Sequence, residues 1–177
     1  MKADPWLGLL GKFHGKRLLL DTNLLLPYLM GCFYRVRLQV PRYGSLFSEE
    51  EFELLAQIIE YFKKAGRVVT TPHLLTEVSN LSKGLKENRV AFLSFIGPLI
   101  RQLDEKFDEG RIGAHRLSGQ ECFLTFGLAD AAIIDLAYDP LLILTNDKPM
   151  ARYLKGERRR PNVVYFGDLK ELCLISP

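Results

Sequence analysis

Four acidic residues stand where a buried sheet would deliver carboxylates to one edge. They are Asp21 in LLLDTN, Glu77 in TPHLLTEVSNL, Asp130 in FGLADAAIIDLA and Asp147 in LLILTNDKPM. Asp21 directly follows one apolar run and Asp147 lies just past another, and both runs read as central strands. Acids drawn together from four distant segments could bind a hard divalent cation. Mg²⁺ and Mn²⁺ take carboxylate, carbonyl and water ligands. Such an ion holds a water and a phosphate together, lowers the water's pKa and neutralises charge as the P–O bond is attacked. The attacking water would be metal-bound, so no histidine base is needed. One ion or two would fit the same four acids. Without a cation, gathered carboxylates repel and some stay protonated.

Each acid also has an ordinary alternative. Asp21 could cap a turn, and Asp147 could cap the helix after its strand. Asp130 could be a helix N-terminal charge favoured by the dipole. Glu77 could be an exposed helix residue. The four together, at one edge, point to a site.

The elements that must position them alternate. Residues 17–21, 67–70, 141–145 and 163–166 read as strands. The segment NLLLPYLM after the first strand reads as a short helix interrupted or ended near Pro27, and 33–47 as an inserted loop or strand pair. Ser48 and Glu51 resemble a capping box opening a helix with Phe52, Leu55, Ile58, Ile59 and Phe62 at helical spacing, closed by Gly66. Thr71 caps a helix whose first residue is Pro72. Residues 86–108 read as a longer helix with a kink or break at Gly97-Pro98, and the glycine-rich 110–127 as loop plus a short turn. Helices over 128–138, 147–156 and 167–174 complete the pattern. Strands alternating with helices imply right-handed crossovers and a parallel sheet covered on both faces. The fold class expected is α/β: a three-layer α/β/α sandwich with a central, mainly parallel sheet. Ligands in such sheets gather outside the carboxyl ends of the strands. Asp21, Asp147 and Glu77 fall at that end, and Asp130 opens a helix leading into the third strand.

The 177 residues suit a single domain, 1–177. With 47% hydrophobic and 25% charged residues, the composition is that of a globular protein. No stretch stays apolar for about 18 residues, which argues against a membrane span. The N-terminal apolar stretches are short and interrupted, unlike a signal peptide. Cys32, Cys122 and Cys173 are scattered, as are His14, His73 and His115, so neither a disulfide framework nor a zinc site is expected. Reduced thiols in a cytoplasmic protein are the expectation.

Net charge is +3, compatible with a nucleic-acid partner. Arg35, Arg37 and Arg42 are interleaved with Phe33, Tyr34 and Tyr43. Together they could offer phosphate contacts and stacking surfaces to a single strand, with a solvated loop the equal alternative. Arg158, Arg159 and Arg160 form a second basic run, for which solvation is the commoner role.

DTN after an apolar strand, an isolated helical Glu, LADAAI, and TND after a second apolar strand, in that order over about 17–166, resemble a PIN-domain ribonuclease. The resemblance implies a PIN-like fold and cleavage of single-stranded RNA with Mg²⁺ or Mn²⁺. It matches Asp21, Glu77, Asp130 and Asp147 to the family's metal-binding acids. Thr145 matches its hydroxyl residue before the last acid, and Asn23 its polar residue beside the first. Many such proteins are toxins of bacterial toxin–antitoxin pairs, so an antitoxin protein is an implied partner. The segments 31–47 and 86–108 are large for a minimal toxin. Apolar helices such as 52–62 and 86–103 could pair subunits as a homodimer, and core packing explains them equally well. Two other classes stay open. One is a catalytically silent PIN-like module that binds RNA or protein. The other is a phosphotransfer domain with Asp21 as nucleophile, which lacks the usual DxD because Asn23 stands at its second acid. Asp135, five residues after Asp130, points to a different helix face.

Overall fold

Strands β1 (Arg17–Leu20), β2 (Val68–Thr70), β3 (Phe107–Glu109), β4 (Leu141–Thr145) and β5 (Val163–Tyr165) form one sheet. Its order is β3-β2-β1-β4-β5, and every neighbouring pair is parallel. The chain lays down β1 to β3 in one direction, then returns to the other side of β1 for β4 and β5. The boundary between β1 and β4 is therefore the topological switch point. The computed structural model describes residues 5–13, 15–38, 47–64, 68–109, 113–137, 141–156 and 162–174.

The helices are α1 (Pro5–Leu10), α2 (Thr22–Phe33), α3 (Glu49–Lys64), α4 (Pro72–Leu81), α5 (Arg89–Lys106), α6 (Ala114–Ser118), α7 (Glu121–Leu136), α8 (Lys148–Gly156) and α9 (Phe166–Leu174). Successive strand side chains point to opposite faces, and both faces are apolar. Leu18, Leu20, Leu142 and Leu144 pack with α1, α3 and α9 through Trp6, Leu55, Phe62 and Leu169. Leu19, Val69, Leu141 and Ile143 pack instead with α7 and α8 through Ala131, Ile134, Met150 and Leu154. A third cluster joins α2, α4 and α5, with Phe33 and Phe92 edge to face at 5.7 Å. The architecture is thus α/β, with helices on both faces of a parallel sheet. Among the described residues no helix is long and apolar enough to cross a membrane. Cys32, Cys122 and Cys173 form no disulfide.

Several elements differ from the sequence reading. Helix α2 does not end at Pro27 but runs through it to Phe33 and continues as a π-helical turn over Tyr34–Leu38. An internal proline costs about 3 kcal/mol or more. Burial of Leu24, Leu29 and Phe33 along α2 outweighs that cost. Helix α5 likewise continues through Pro98, anchored by the buried Phe92 and Ile96. It begins later than expected, after a 3-10 segment over Ser82–Asn88 in which Lys86 takes a positive φ of 48°. The end of the expected helix is instead the edge strand β3, whose polar FDE lacks an apolar strand signature. The glycine-rich stretch holds α6 and the first half of α7. Gly127, at φ 83°, breaks α7 into two segments that share one element. The predicted helix stop at Gly66 lies outside the described residues.

Gly31 sets how closely α2 approaches α3. A Cβ there would run into the ring of Phe52, which also stacks on Tyr28 at 6.1 Å. Both helices are packed in the core, so the ring has little room to yield. Gly31→Ala is expected to lower stability by about 1–3 kcal/mol despite its better helix propensity. Urea unfolding of the two proteins measures it; an unchanged or higher midpoint would mean that the ring moves freely.

Candidate functional site

The register of β1 against β4 determines which side chains meet at the carboxyl edge. Leu20 pairs with Leu144, so the next residues, Asp21 and Thr145, lie side by side. The Asp21 N–H donates to Leu144 O at 3.1 Å, continuing the ladder past the strand end. Thr145, fully buried, donates its hydroxyl to Asp21 Oδ2 at 2.7 Å. The same Oγ1 accepts the Asp147 N–H at 2.9 Å. One buried hydroxyl thus fixes the first acid and the backbone of the last.

Asp21 is only 1% exposed and is also the N-cap of α2. Its Oδ1 accepts the Asn23 N–H at 3.3 Å, and Asn23 Nδ2 reaches Oδ2 at 3.4 Å. Asp147 caps α8 by accepting the Met150 N–H at 2.7 Å. The capping roles weighed from sequence are present, and they orient the carboxylates at the sheet edge. On the other flank, Thr71 caps α4 by accepting the Leu74 N–H at 3.2 Å. That helix carries Glu77, whose Oε2 accepts the Thr22 hydroxyl at 2.7 Å. Thr22 has no role in the sequence reading. Its signal was a second hydroxyl directly beside a buried acid, and it ties Glu77 to the segment that bears Asp21.

Asp130 lies three residues after the break at Gly127, near the start of the second segment of α7. Burial, then repulsion from Asp21, Glu77 and Asp147 in that order, pushes its carboxyl up to about 7. Asp130 therefore feels the charge of each of the other three acids, and Asp21 that of Asp147. Burial also raises Asp21; the hydrogen bonds from Thr145 and Asn23 pull it back, and Asp147 pushes it up again. The contrast is one of donors. No hydrogen-bond donor among the described residues meets Asp130, so nothing offsets its burial. The donor set is all carboxylate oxygen, as hard divalent cations prefer. As the side chains stand, though, no three His, Cys, Asp or Glu among the described residues are grouped to hold an ion.

The other expected positions separate. Asp135 is turned away from the acids and accepts from Arg116 at 2.9 Å and Gln120 at 2.7 Å. Arg35 pairs with Glu49 and Glu53 and lies over the Phe52 ring at 4.6 Å. Phe33 and Tyr34 are buried in the third core cluster, which corrects their reading as stacking surfaces for a nucleic acid. The apolar face of α2 carries on into the π-helical turn and takes them inward. Arg37 falls on the backbone of that turn. Arg42, Arg158, Arg159 and Arg160 lie outside the described residues.

No family model, curated protein or solved structure matches this chain.

The Asp130 environment has a direct thermodynamic consequence. Its folded pKa lies near 7, above the ordinary 3.8. Between those values the folded state holds a proton that the unfolded state has lost, so this group makes stability fall as pH rises from about 4 to 7. Asp130→Asn keeps the shape and removes the charge. Thermal melts should show the variant about 1–3 kcal/mol more stable than the parent at pH 8, with the gain vanishing near pH 4. A gain independent of pH would show that the cost of the buried, repelled charge is not the cause.

Proposed function

We propose that this chain is a PIN-like, divalent-metal-dependent endoribonuclease that hydrolyses phosphodiester bonds in single-stranded RNA. The observation that carries this reading is that Asp130 feels the charges of Asp21, Glu77 and Asp147, while one Thr145 hydroxyl holds Asp21 and the Asp147 backbone together at the carboxyl edge of β1 and β4. Four acids held within electrostatic range cost stability, and a cation that neutralises them supplies the reason to keep them.

The chain's own residues would divide the work. Asp21, held rigidly by Thr145 and Asn23, would be the fixed ligand between the two central strands. Asp147 would approach from the first turn of α8 and Glu77 from α4, the latter steadied by Thr22. Asp130 would contribute from α7, opposite no fixed donor. When bound, Mg²⁺ or Mn²⁺ supplies a lowered water pKa and charge neutralisation at the attacked phosphate. No histidine is required as base. The narrower role of a toxin held in check by an antitoxin protein is one form of this proposal. It rests on the sequence resemblance.

A second reading is a catalytically silent PIN-like module that binds RNA or protein. The spacing of the side chains favours it, since no three of the described acids are grouped to hold an ion.

Cleavage of a mixed single-stranded RNA pool with Mn²⁺, Mg²⁺ or EDTA separates the two. The nuclease reading expects metal-dependent cleavage that Asp21→Asn or Asp147→Asn lowers by at least about a thousandfold while circular dichroism stays unchanged. Wild-type cleavage in either folded variant would sink the assignment, and binding without cleavage in every metal would favour the silent module.

Proton linkage gives a further test. A cation entering the site must displace the proton that Asp130 holds below about pH 7. Mn²⁺ affinity, followed by calorimetry in buffers of different ionisation heat, should rise about tenfold per pH unit from roughly pH 5 to 7 and level off above. Affinity flat across that range would exclude Asp130 as a ligand.

A further inference from the structure

Helix α8 starts at the acid edge and leads away from it. Asp147 caps it, and Lys148 is its first residue. Met150, Ala151 and Leu154 are buried in the cluster between α7, α8 and the sheet, which fixes the face that α8 turns outward. On that face stand Lys148, Arg152 and Lys155, all exposed. At i, i+4 and i+7 they form one row along the helix, about 10 Å from end to end. The helix itself carries no acidic residue.

Two costs attach to this row. Like charges one turn apart repel. Lys148 also puts a cation in the first helical turn, where the helix dipole favours an anion. Little ion pairing offsets them. Among the described residues no carboxylate pairs with Lys148 or Arg152. Lys155 reaches Asp168 only at 3.5 Å, with the two side chains 45% and 57% exposed, and such a pair is worth little in water. By contrast Arg35, Lys63, Arg116 and Lys170 each hold a carboxylate.

Lys148 is unpaired although acids are near. It borders a cleft that also holds Glu50, Glu51 and Glu171. Glu51 accepts from Lys170 at 2.7 Å, and Glu50 accepts the Ser48 hydroxyl at 2.8 Å. Lys148 Nζ instead lies 6.0 Å from the centre of the Tyr165 ring, at the outer limit of a cation–π contact. Its three N–H donors are left to solvent or a ligand.

We propose that this face of α8 is a track for the phosphates of a single RNA strand. Lys148 receives a phosphate next to the acid edge, and Arg152 and Lys155 receive those that follow along the helix. The identity of the strand as RNA rests on the nuclease reading. Evenly spaced cations on a rigid helix match a chain of evenly spaced anions. Arg152 can hold its phosphate through two N–H donors, and Lys148 acts as a point charge. Glu50, Glu51 and Glu171 repel phosphate, which confines the strand to the α8 side of Lys148. Contacts of this kind position a strand without reading its sequence.

Fluorescence anisotropy on the full chain tests the track, with a short fluorescein-labelled RNA of mixed sequence, in EDTA so that nothing is cut. Lys148→Gln/Arg152→Gln is compared with the parent and with Lys12→Gln/Lys83→Gln, which loses the same charge at exposed positions on other elements. The α8 variant should bind roughly tenfold more weakly at about 0.1 M salt, with a salt slope lower by about 0.7 for each cation removed. The control variant should bind like the parent. Because a cation leaves the first turn, the α8 variant should melt no lower than the parent. Unchanged affinity and salt slope in the α8 variant, equal weakening in the control, or a parent that binds no RNA would overturn the proposal. Displacement of the RNA by polyglutamate at equal charge concentration would overturn it too, in favour of an acidic protein. A parent that binds RNA through α8 but cuts it in no metal supports the track and sinks the nuclease reading alone.

Discussion

The Thr145–Asp21 hydrogen bond is the constraint on which the candidate site depends. It joins residues 124 positions apart in sequence, and it exists because β1 and β4 pair in one register. A slip by one residue would exchange the faces of Leu18, Leu19 and Leu20 and move Arg17 or Asp21 into the place of a buried leucine. Hydrophobic packing on both faces thus fixes the position of a polar contact at the end of the strands. The core does not merely support the acids; through the register it specifies which hydroxyl meets which carboxylate.

The acids place local electrostatics against global stability. Asp21 is buried almost completely and is still supplied with donors. Asp130 is less buried and has none among the described residues, and its carboxyl holds a proton up to about pH 7. A half-buried acid facing three others costs stability, and groups perturbed in this way cluster at functional sites. The caps of α2 and α8 show how the fold tolerates the rest: Asp21 and Asp147 each neutralise a helix N-terminus while facing the edge. One carboxylate serves a structural and a potential chemical purpose through different oxygens or lone pairs.

What was legible in the sequence follows from which signals are local. The strands β1, β2, β4 and β5 carry near-continuous Leu, Ile and Val runs, and the caps at Asp21, Ser48, Thr71 and Asp147 are single-residue signals. β3 was missed because its pairing with β2 is tertiary and its residues are polar. Local proline rules read Pro27 as an interruption or end and Pro98 as a kink or break, and core packing carries both helices through. Gly127 marked a real discontinuity, but the helix resumes on both sides of it, which glycine content alone hides. The role of Thr22 needed the third dimension, since its partner Glu77 is 55 positions away. The inward turn of Phe33 and Tyr34 likewise depends on α5, which no local pattern connects to them.

The order in which the acids occur along the chain has a consequence in time. Asp21 is made early, and its buried partner Thr145 lies on β4, close to Asp147. Until β4 is added beside β1, Asp21 lacks its principal donor and the fourth acid is absent. A chain growing from its N-terminus can build the three-stranded half of the sheet, β1 to β3, while the switch point still has only one side. The acid edge is therefore assembled late, by sheet closure across the whole fold, and no fragment that stops before β4 carries it. Whatever chemistry this edge performs is withheld until nearly the entire domain has formed.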